Sequence, residues 1–347
     1  LKSPSNQADF LVIGPESFLE AARPLVERRE GQGLSTLAVS LEEIASTFGG
    51  GEASAEAVRA FLSYAYHSWA RPSPRYVLLL GDGSDDPRNF TGTAGPAPLP
   101  ALRVKTTYLW TASDPLLGAV NGEDGVPDLA IGRLPAATPD EAARLVAKIL
   151  DWEDAGNGLD GEAVLVADNP DAGGDFEANA RDLAGGPLAG RPTETLLVRE
   201  LGAGTRAAIL DAFSRGPSLV SYVGHGGAAV WASENVLNTW DAPSLPEQSR
   251  QPVLLTLNCL NGYFVAPNFD ALTEALLKAD GRGVVAGVSP SGLSLDAPAH
   301  AFHRALAGAL ASGAHDRLGD ALLAGQKAYA ETGAMPVLQS VYHVLGV

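Results

Sequence analysis

Cysteine is almost absent from this sequence: of 347 residues, only Cys259 carries a thiol. An intramolecular disulfide is therefore excluded, and so is a zinc site built from several cysteines. One free thiol is compatible with the cytosol and equally with a secreted protein that is stabilised by its core or by metal ions. The cysteine count alone leaves the compartment open.

Long apolar runs and basic residues are also scarce. No stretch of about 18 or more apolar residues occurs, so no membrane-spanning helix is predicted. Lys and Arg number 24 against 41 Asp and Glu, and the formal net charge is −17. This charge argues against nucleic acid or an anionic membrane surface as a partner. The chain begins at Leu1, without a methionine or a leader, so we expect a mature or excised segment.

Short apolar runs that alternate with helical patterns are abundant. Asp9 to Gly14, Tyr76 to Leu80 and Ala163 to Ala167 are such runs, and helical spacing follows them. This alternation predicts a parallel sheet covered on both faces. A polar, glycine-bearing stretch from Gly156 to Gly161 reads as a linker. We therefore predict an α/β fold of two successive three-layer α/β/α halves, residues 1–155 and 156–347, with mostly parallel sheets.

Two apolar runs in the second half end at a reactive side chain. Leu219 to Val223 is followed by a His-Gly-Gly sequence at His225, and Val253 to Leu257 is followed by Asn and Cys259. Reactive groups gather outside the carboxyl ends of strands in an open parallel sheet. We therefore expect the imidazole to lie beside the thiol, where it can accept the thiol proton or stabilise the nucleophilic thiolate.

The residues around this pair suit acyl chemistry. Gly226 lacks a Cβ, so its N–H can approach a substrate carbonyl and form an oxyanion hole with the N–H of Cys259. The alternative is a buried structural cysteine and a strand-end histidine bonded to main chain. Both His225 and Cys259 follow an apolar run and are flanked by small or turn-forming residues, which favours the catalytic interpretation.

These motifs resemble the gingipain family of cysteine peptidases. The sequence YVGHGG, with NCLNGYF placed so that Cys259 comes 34 positions after His225, carries the resemblance. The segments LLLGD, SDPLLG and PDLAIGR resemble family counterparts in the same order, so the similarity covers most of the chain. The resemblance implies a caspase-like catalytic second half and a cysteine endopeptidase that acts on proteins or peptides. It also implies a secreted or cell-surface bacterial protein.

The resemblance further implies roles for three acidic residues. In the family, an acid after the first strand of the second half orients the histidine, and here Asp168 or Asp171 takes that place. We prefer Asp168, which follows the strand directly, although a turn or capping role fits either residue equally well. Asp175 matches the acid that holds a basic substrate side chain in arginine-specific gingipains, and a plain N-cap is its alternative.

Departures from the family pattern suggest a more apolar substrate pocket. Val223 stands where gingipains have threonine, Leu257 lies two residues before the cysteine, and the neighbourhood of Leu295 and Asp296 replaces an aromatic wall. Ser289, in GVSPSG, is expected to line this pocket. A serine hydrolase that uses Ser289 with His300 or His303 is the alternative, but G-x-S-x-x-G differs from the nucleophile-elbow pattern.

Two other functions and a metal question stay open at this stage. An acyl-enzyme could be resolved by an amine, as in a sortase-like transpeptidase, or the chain could be an inactive binding module. No cofactor is required for the reaction. Six acidic residues on predicted loops carry oxygen atoms of the kind that binds Ca²⁺: Asp82, Asp85, Asp86, Asp114, Glu123 and Asp124. Their spacing does not match an EF-hand, which favours solvated turns. Structural calcium is implied by the resemblance alone, and no ligand is assigned.

Overall fold

The computed structural model describes residues 1–92 and 99–346. The stretch from Asp85 to Ala101 is rich in Pro, Gly and Thr, which predicts a long surface loop. Its residues 93–98, and Val347 at the end of the predicted second half, lie outside the described residues. Within the described ranges, no helix has the length and apolar character needed to cross a membrane.

The first half contains six strands, two of which, β4 and β5, form a separate antiparallel pair. They are β1 (Phe10–Gly14), β2 (Thr36–Ser40), β3 (Tyr76–Leu80), β4 (Arg103–Lys105), β5 (Trp110–Ala112) and β6 (Ala130–Leu134). The second half contributes β7 (Ala163–Ala167), β8 (Thr193–Leu197), β9 (Leu219–Val223), β10 (Gly226–Gly227), β11 (Val230–Trp231), β12 (Leu237–Asn238), β13 (Val253–Leu257), β14 (Ala286–Pro290) and β15 (Tyr342–Leu345).

The helices fall between these strands, as the alternating pattern predicts. They are α1 (Glu16–Gly31), α2 (Leu41–Phe48), α3 (Ala55–Ser68), α4 (Pro139–Asp154), α5 (Phe176–Gly185), α6 (Val198–Leu201), α7 (Thr205–Ser214), α8 (Leu272–Lys278), α9 (Asp296–Ala311) and α10 (Leu318–Glu331). Short 3₁₀ turns occupy Pro115–Leu117, Gly202–Gly204, Ala242–Ser244 and Pro336–Val341.

Ten strands form one sheet in the order β2-β1-β3-β6-β15-β14-β13-β9-β7-β8. The α/β fold with a mostly parallel sheet is therefore confirmed. The closing strand β15 lies between the two halves, parallel to β6 and antiparallel to β14. The strands of the first half consequently run opposite to those of the second, and both halves share one continuous sheet. The boundary between residues 155 and 156 stays a prediction.

Side chains on both faces of the sheet are buried, which explains the unbroken apolar runs. On β1, Phe10 and Val12 belong to one core cluster, and Leu11 and Ile13 belong to the other. The helices start at signals that the sequence contains: at α4, the hydroxyl of Thr138 accepts a hydrogen bond from the N–H of Glu141 at 3.2 Å. Such a cap satisfies a donor that the helix itself leaves free.

A buried ion pair ties the first half to the closing strand. Arg133 on β6 is fully buried and donates two hydrogen bonds to Asp114, each of 2.7 Å. The main-chain N–H of Asp114 donates to Nδ1 of His343 on β15 at 3.3 Å. Burial alone would raise the pKa of Asp114, but the guanidinium of Arg133 outweighs it and holds that pKa well below its usual range. The pair is thus ionised and fully bonded.

Replacing Arg133 with methionine should lower the free energy of unfolding by about 3–5 kcal/mol, because Asp114 would remain buried without its partner. Urea unfolding followed by circular dichroism measures this change. Arg75→Met is the matched control, because Arg75 pairs with Asp320 while its own side chain is 60% exposed. A surface pair contributes no more than about 1 kcal/mol. Equal losses in the two variants would contradict the structural role of Arg133.

Candidate functional site

The pairing of β9 with β13 brings the two predicted reactive residues to one edge of the sheet. The strands are parallel, and Val223 lies opposite Leu257. The N–H of Gly224 donates to the carbonyl oxygen of Leu257 at 3.1 Å, which continues the pairing past the strands. His225 and Cys259 each follow two residues after the last paired position. The register of these two neighbouring strands therefore brings residues that are 34 positions apart in the sequence to the same edge of the sheet.

Cys259 is a free, partly buried thiol. Its Sγ lies 4.0 Å from the carbonyl oxygen of Ser294, in the segment between β14 and α9. Among the residues that the structure describes, no acceptor takes the main-chain N–H of Cys259. The thiol and an unused N–H donor therefore stand on the same residue.

The ring of His225 is held by an acid and an aromatic side chain. Nε2 lies 3.0 Å from Oδ2 of Asp171, and the ring meets Phe176 edge-on at 5.1 Å between centroids. The loop also passes close to the ring, since a Cβ on Gly173 would lie 2.8 Å from Cε1 of His225. A hydrogen bond through Nε2 leaves Nδ1 as the ring nitrogen that can serve the thiol.

Asp171 is fixed by its own loop. Its Oδ1 accepts a hydrogen bond of 2.6 Å from the N–H of Gly173. That main-chain bond, assisted by the contact with His225, lowers the pKa of Asp171 below its usual value. The carboxylate therefore stays ionised and in position beside the ring.

Asp168 has a different place from the one preferred on sequence grounds. Its Oδ2 accepts the main-chain N–H of His225 at 3.0 Å and its Oδ1 accepts the N–H of Asn169 at 2.8 Å. Because Asp168 lies beside the end of β9, with its N–H donating to the carbonyl oxygen of Val223, its short side chain reaches the main chain there. In the structure Asp171 contacts the imidazole, whereas Asp168, whose pKa burial raises, accepts from the main chain of His225. Which of the two acids orients His225 in a reaction stays a prediction.

Asn261 joins the loop after Cys259 to the loop after His225, and sequence reasoning gave it no role. Its Oδ1 accepts Nε1–H of Trp231 and Nδ2–H of Asn258, each at 2.6 Å. Its Nδ2 donates to the carbonyl oxygen of Gly227 at 2.6 Å. The side chain is fully buried, so these bonds act in a low-dielectric interior. The NCLNG sequence offered the only signal, a polar residue next to a glycine at a strand end.

Gly226 stands where a larger residue would not fit. The N–H of Ala232 donates to the carbonyl oxygen of His225 at 2.9 Å. This bond makes Gly226 and Trp231 a non-hydrogen-bonded pair. The ladder therefore leaves the N–H of Gly226 unused. A Cβ on Gly226 would lie 2.2 Å from Nδ2 of Asn258. Within residues 1–92 and 99–346, neither predicted oxyanion donor, Gly226 or Cys259, has an acceptor for its main-chain N–H.

The four residues predicted to line the substrate pocket differ in burial and in their contacts. Val223 and Leu257 are buried beneath the strand ends. Asp175 caps α5, with Oδ1 accepting the N–H of Ala178 at 3.0 Å. Ser289 is fully buried, and its hydroxyl bonds with those of Thr256 and Thr273 at 2.9 and 2.7 Å. The structure therefore corrects the expectation that Ser289 lines an open pocket.

The structure does not bring together the residues of the serine-hydrolase alternative, Ser289 with His300 or His303. His303 is buried, and its Nε2 lies 2.9 Å from the hydroxyl of Ser221. His300 contacts Asp182 at 2.8 Å. Ser289 contacts neither histidine, because its hydroxyl bonds with Thr256 on β13 and with Thr273 on α8.

Three of the six loop acids considered as metal ligands are engaged with the protein itself. Asp114 binds Arg133, Asp85 pairs with Arg103, and Asp86 accepts main-chain N–H groups. Over residues 1–92 and 99–346, no group of three or more His, Cys, Asp or Glu side chains is arranged to hold a metal ion.

Comparisons with known proteins point to one family. The family model described as "Peptidase family C25" matches residues 3–346. Gingipain R2 of Porphyromonas gingivalis is 25% identical over 286 residues, which are 80% of this chain and 35% of that protein. Gingipain R1 of the same species is 25% identical over 286 residues, 80% of this chain and 26% of that protein. The chain thus spans about a third or less of the length of these relatives.

Solved structures share the fold. The crystal structure of the Arg-specific cysteine proteinase gingipain R has a TM-score of 0.78 at 21% identity, with 99% of this chain and 77% of that chain covered. The complex of Porphyromonas gingivalis RgpB pro- and mature domains has a TM-score of 0.76 at 22% identity, with 97% and 78% covered. At these identities the likeness establishes the fold alone.

Gly226→Ala should lower the free energy of unfolding by about 1–3 kcal/mol, because the new methyl group would overlap the amide of Asn258. Asn258 cannot easily yield, since it is buried and bonded to Asn261. Thermal and urea unfolding measure the change. Gly227→Ala is the matched control, because a Cβ there would meet only Val230, at 3.6 Å. An unchanged stability for Gly226→Ala would show that the two loops are not packed as described.

Proposed function

This chain belongs to peptidase family C25, and from that membership we propose that it is a cysteine endopeptidase that cleaves proteins or peptides through Cys259 and His225. The observation that carries the proposal is the paired register of β9 and β13, which brings the thiol and the imidazole to one sheet edge. We also propose that it acts as a secreted or cell-surface protein, as the gingipain resemblance implies.

In the proposed reaction, Nδ1 of His225 accepts the proton of the Cys259 thiol, and the thiolate attacks the carbonyl carbon of the scissile bond. The N–H groups of Cys259 and Gly226 donate hydrogen bonds to the oxyanion of the tetrahedral intermediate. As the C–N bond breaks, the imidazolium gives its proton to the leaving amine. Water, deprotonated by His225, then hydrolyses the thioester and releases the acid and the free thiol.

Asp171 has the orienting role in this scheme. Its carboxylate accepts Nε2–H of His225, which fixes the tautomer that leaves Nδ1 free and stabilises the imidazolium that forms. Asp168 supports the reaction indirectly, because it holds the main chain of His225. The acid assigned to orientation is therefore the one on the loop.

A preference for a basic residue before the cut completes the proposal. One protein of this fold is described as an Arg-specific cysteine proteinase. In this chain Asp175 is the acid assigned to the basic side chain. Capping of α5 uses its Oδ1, so its second oxygen is the one to receive the substrate cation.

Cys259→Ala should abolish cleavage of a randomised peptide library, with a loss of at least about 10³-fold, because no other thiol exists. His225→Ala should lose about 10²–10⁴-fold in kcat. Mass spectrometry of the products gives both rates and the residues at the cut. His315→Ala, in the segment between α9 and α10, is the control and should keep full activity. Full activity in Cys259→Ala would end the assignment.

Asp171→Asn and Asp168→Ala should separate the roles of the two acids. Asp171→Asn should lower kcat about tenfold or more with little change in unfolding free energy, because both partners are half-exposed. Asp168→Ala should lower the unfolding free energy by about 1–2 kcal/mol, because two partly buried N–H groups lose their acceptor. Steady-state kinetics and urea unfolding on each variant test this. The reverse pattern would restore Asp168 as the orienting acid.

A further inference from the structure

We propose that Ser294 and Tyr342 are positioning residues that aim the main-chain N–H of Cys259 at the oxyanion. This inference rests on the proposed peptidase function and deepens it, because it concerns how the same site holds the charge that forms on the substrate. Ser294 acts on the peptide group between Asn258 and Cys259, and Tyr342 supports Ser294 from the buried side.

The peptide group that carries this N–H is held by one hydrogen bond. Oγ–H of Ser294 donates to the carbonyl oxygen of Asn258 at 2.9 Å, and within residues 1–92 and 99–346 that oxygen has no other hydrogen-bond partner. The bond between Asn258 and Cys259 is trans. A trans peptide group is planar, so its C=O and N–H point in opposite directions. A bond that fixes the carbonyl oxygen of Asn258 therefore fixes the direction of the N–H of Cys259.

The turn after Cys259 is strained and depends on its surroundings. Leu260 has a φ of 64°, in the left-handed region that a bulky side chain seldom adopts. Its N–H donates to the carbonyl oxygen of Gly292 at 3.1 Å. The segment 292–294 thus bonds to the chain on both sides of Cys259, at Asn258 and at Leu260. Such a conformation costs about 1–3 kcal/mol and persists only where neighbouring groups impose it.

The bond from Ser294 also makes the N–H of Cys259 a stronger donor. Hydrogen bonds in series polarise one another, so a donor on the C=O of a peptide group makes its N–H more positive. The described part of the chain offers no acceptor to that N–H, which leaves it for a substrate oxygen. The carbonyl oxygen of Ser294 lies 4.0 Å from Sγ of Cys259. The residue that aims the N–H therefore also borders the thiol.

Tyr342 brings an unused hydroxyl to the buried side of Ser294. It is the first residue of β15 and lies opposite Pro290, the last residue of β14. Its ring packs on that of Phe302 in α9, with the centroids 4.9 Å apart. The phenol is thus enclosed by β14 and α9, the two elements that the segment of Ser294 connects. Its Oη is buried and, among the residues that the structure describes, has no hydrogen-bond partner.

The phenol of Tyr342 is electrostatically linked to the reactive residues. Burial raises its pKa well above the usual value, the nearby hydroxyl of Ser294 lowers that pKa, and the charges of Cys259 and Tyr329 raise it further. A buried hydroxyl without a partner costs about 1–3 kcal/mol, so its retention calls for a reason. Oη–H of Tyr342 can donate to Oγ of Ser294, whose own proton is directed at Asn258. This series of donors ends at the N–H of Cys259.

Four variants and two controls test the assignment. Ser294→Ala and Tyr342→Phe each remove one hydroxyl, Ser294→Thr keeps it, and the double variant Ser294→Ala with Tyr342→Phe removes both. Ser312→Ala is the control for serine, because Ser312 is exposed after the end of α9. Tyr329→Phe is the control for tyrosine: its ring also packs on Phe302, but its hydroxyl already donates to a main-chain carbonyl.

Three measurements separate an effect on the oxyanion from an effect on the thiol. The first is kcat and KM for a peptide selected from the randomised library. The second is the affinity for Ac-Leu-Leu-argininal and Ac-Leu-Leu-norleucinal relative to their alcohols. Sγ of Cys259 bonds to the aldehyde carbon, the thiol proton passes to the aldehyde oxygen, and that oxygen then lies at the oxyanion position. The third is alkylation by iodoacetamide, which needs the thiolate but forms no oxyanion.

We expect Ser294→Ala to lower kcat at least about tenfold and Tyr342→Phe at least about threefold, with KM within about twofold. Loss of an oxyanion donor costs about 10²–10³-fold, and a donor that remains but is poorly aimed costs less. The aldehyde-to-alcohol affinity ratio should fall by similar factors. The double variant should lose little more than Ser294→Ala, because Tyr342 acts through Ser294. Ser294→Thr and both controls should stay within about threefold, and alkylation within about twofold throughout.

Several outcomes would overturn the inference. One is a parental kcat and aldehyde ratio in Ser294→Ala, and another is an equal loss of kcat and alkylation rate, which would place the effect on the thiol or on folding. Parental values in Tyr342→Phe would remove Tyr342 from it. A parent that binds the aldehydes no more tightly than the alcohols would overturn it too. If the aldehyde ratio depends on Ser294 but the parent cleaves no peptide, the oxyanion assignment stands and the peptidase function fails.

Discussion

The main-chain pairing of β9 with β13 is the constraint on which the rest of this site depends. Parallel strands that pair in register end at the same edge of the sheet. His225 and Cys259, which follow these strand ends, therefore lie at that edge. A shift of one residue would move every side chain of the shifted strand, Val223 or Leu257 included, to the opposite face of the sheet, which is packed for other side chains. Because both strands are buried on both faces, the register that places His225 and Cys259 together is also the register that fills the core.

Strand pairing brings the loops close, but buried polar side chains give them one conformation. Asp168 holds the main chain at His225, and Asn261 bonds to Trp231, Asn258 and Gly227 at once. Every polar atom of the Asn261 amide has a partner, so the group stabilises rather than penalises the interior. The ring of Tyr222 stacks on Trp231 at 4.4 Å and extends the same support to β9.

Sequence reasoning located the strands of the main sheet and most of the helices, because local patterns of apolar and turn-forming residues predict them. Apolar runs with abrupt ends located β9 and β13. The choice between Asp168 and Asp171 was not local: it depends on a loop in which Asp171 pairs with Gly174 and turns back toward the ring. The prediction that Ser289 lines the pocket failed for the same reason. A serine at a strand end has the same local sequence whether its hydroxyl faces a cleft or bonds with two threonines. The place of β15 between β6 and β14 has no local signal either, because the sequence of an apolar strand does not indicate which strands it pairs with.

The junction of the two halves explains why a site made of second-half residues depends on the first half as well. Phe264, five residues after Cys259, packs its ring on the guanidinium of Arg133 at 4.5 Å, and the N–H of Asp85 donates to the carbonyl oxygen of Val265 at 2.8 Å. Lys148 on α4 donates to the carbonyl oxygens of Leu277, Ala279 and Arg282 at the end of α8, at 2.7–2.8 Å. The loop that leaves the thiol is thus held between α8 and the ends of β3 and β6. A chain that kept only β7 to β14 would retain the register of β9 and β13, but it would lose the groups that fix the path beyond Cys259.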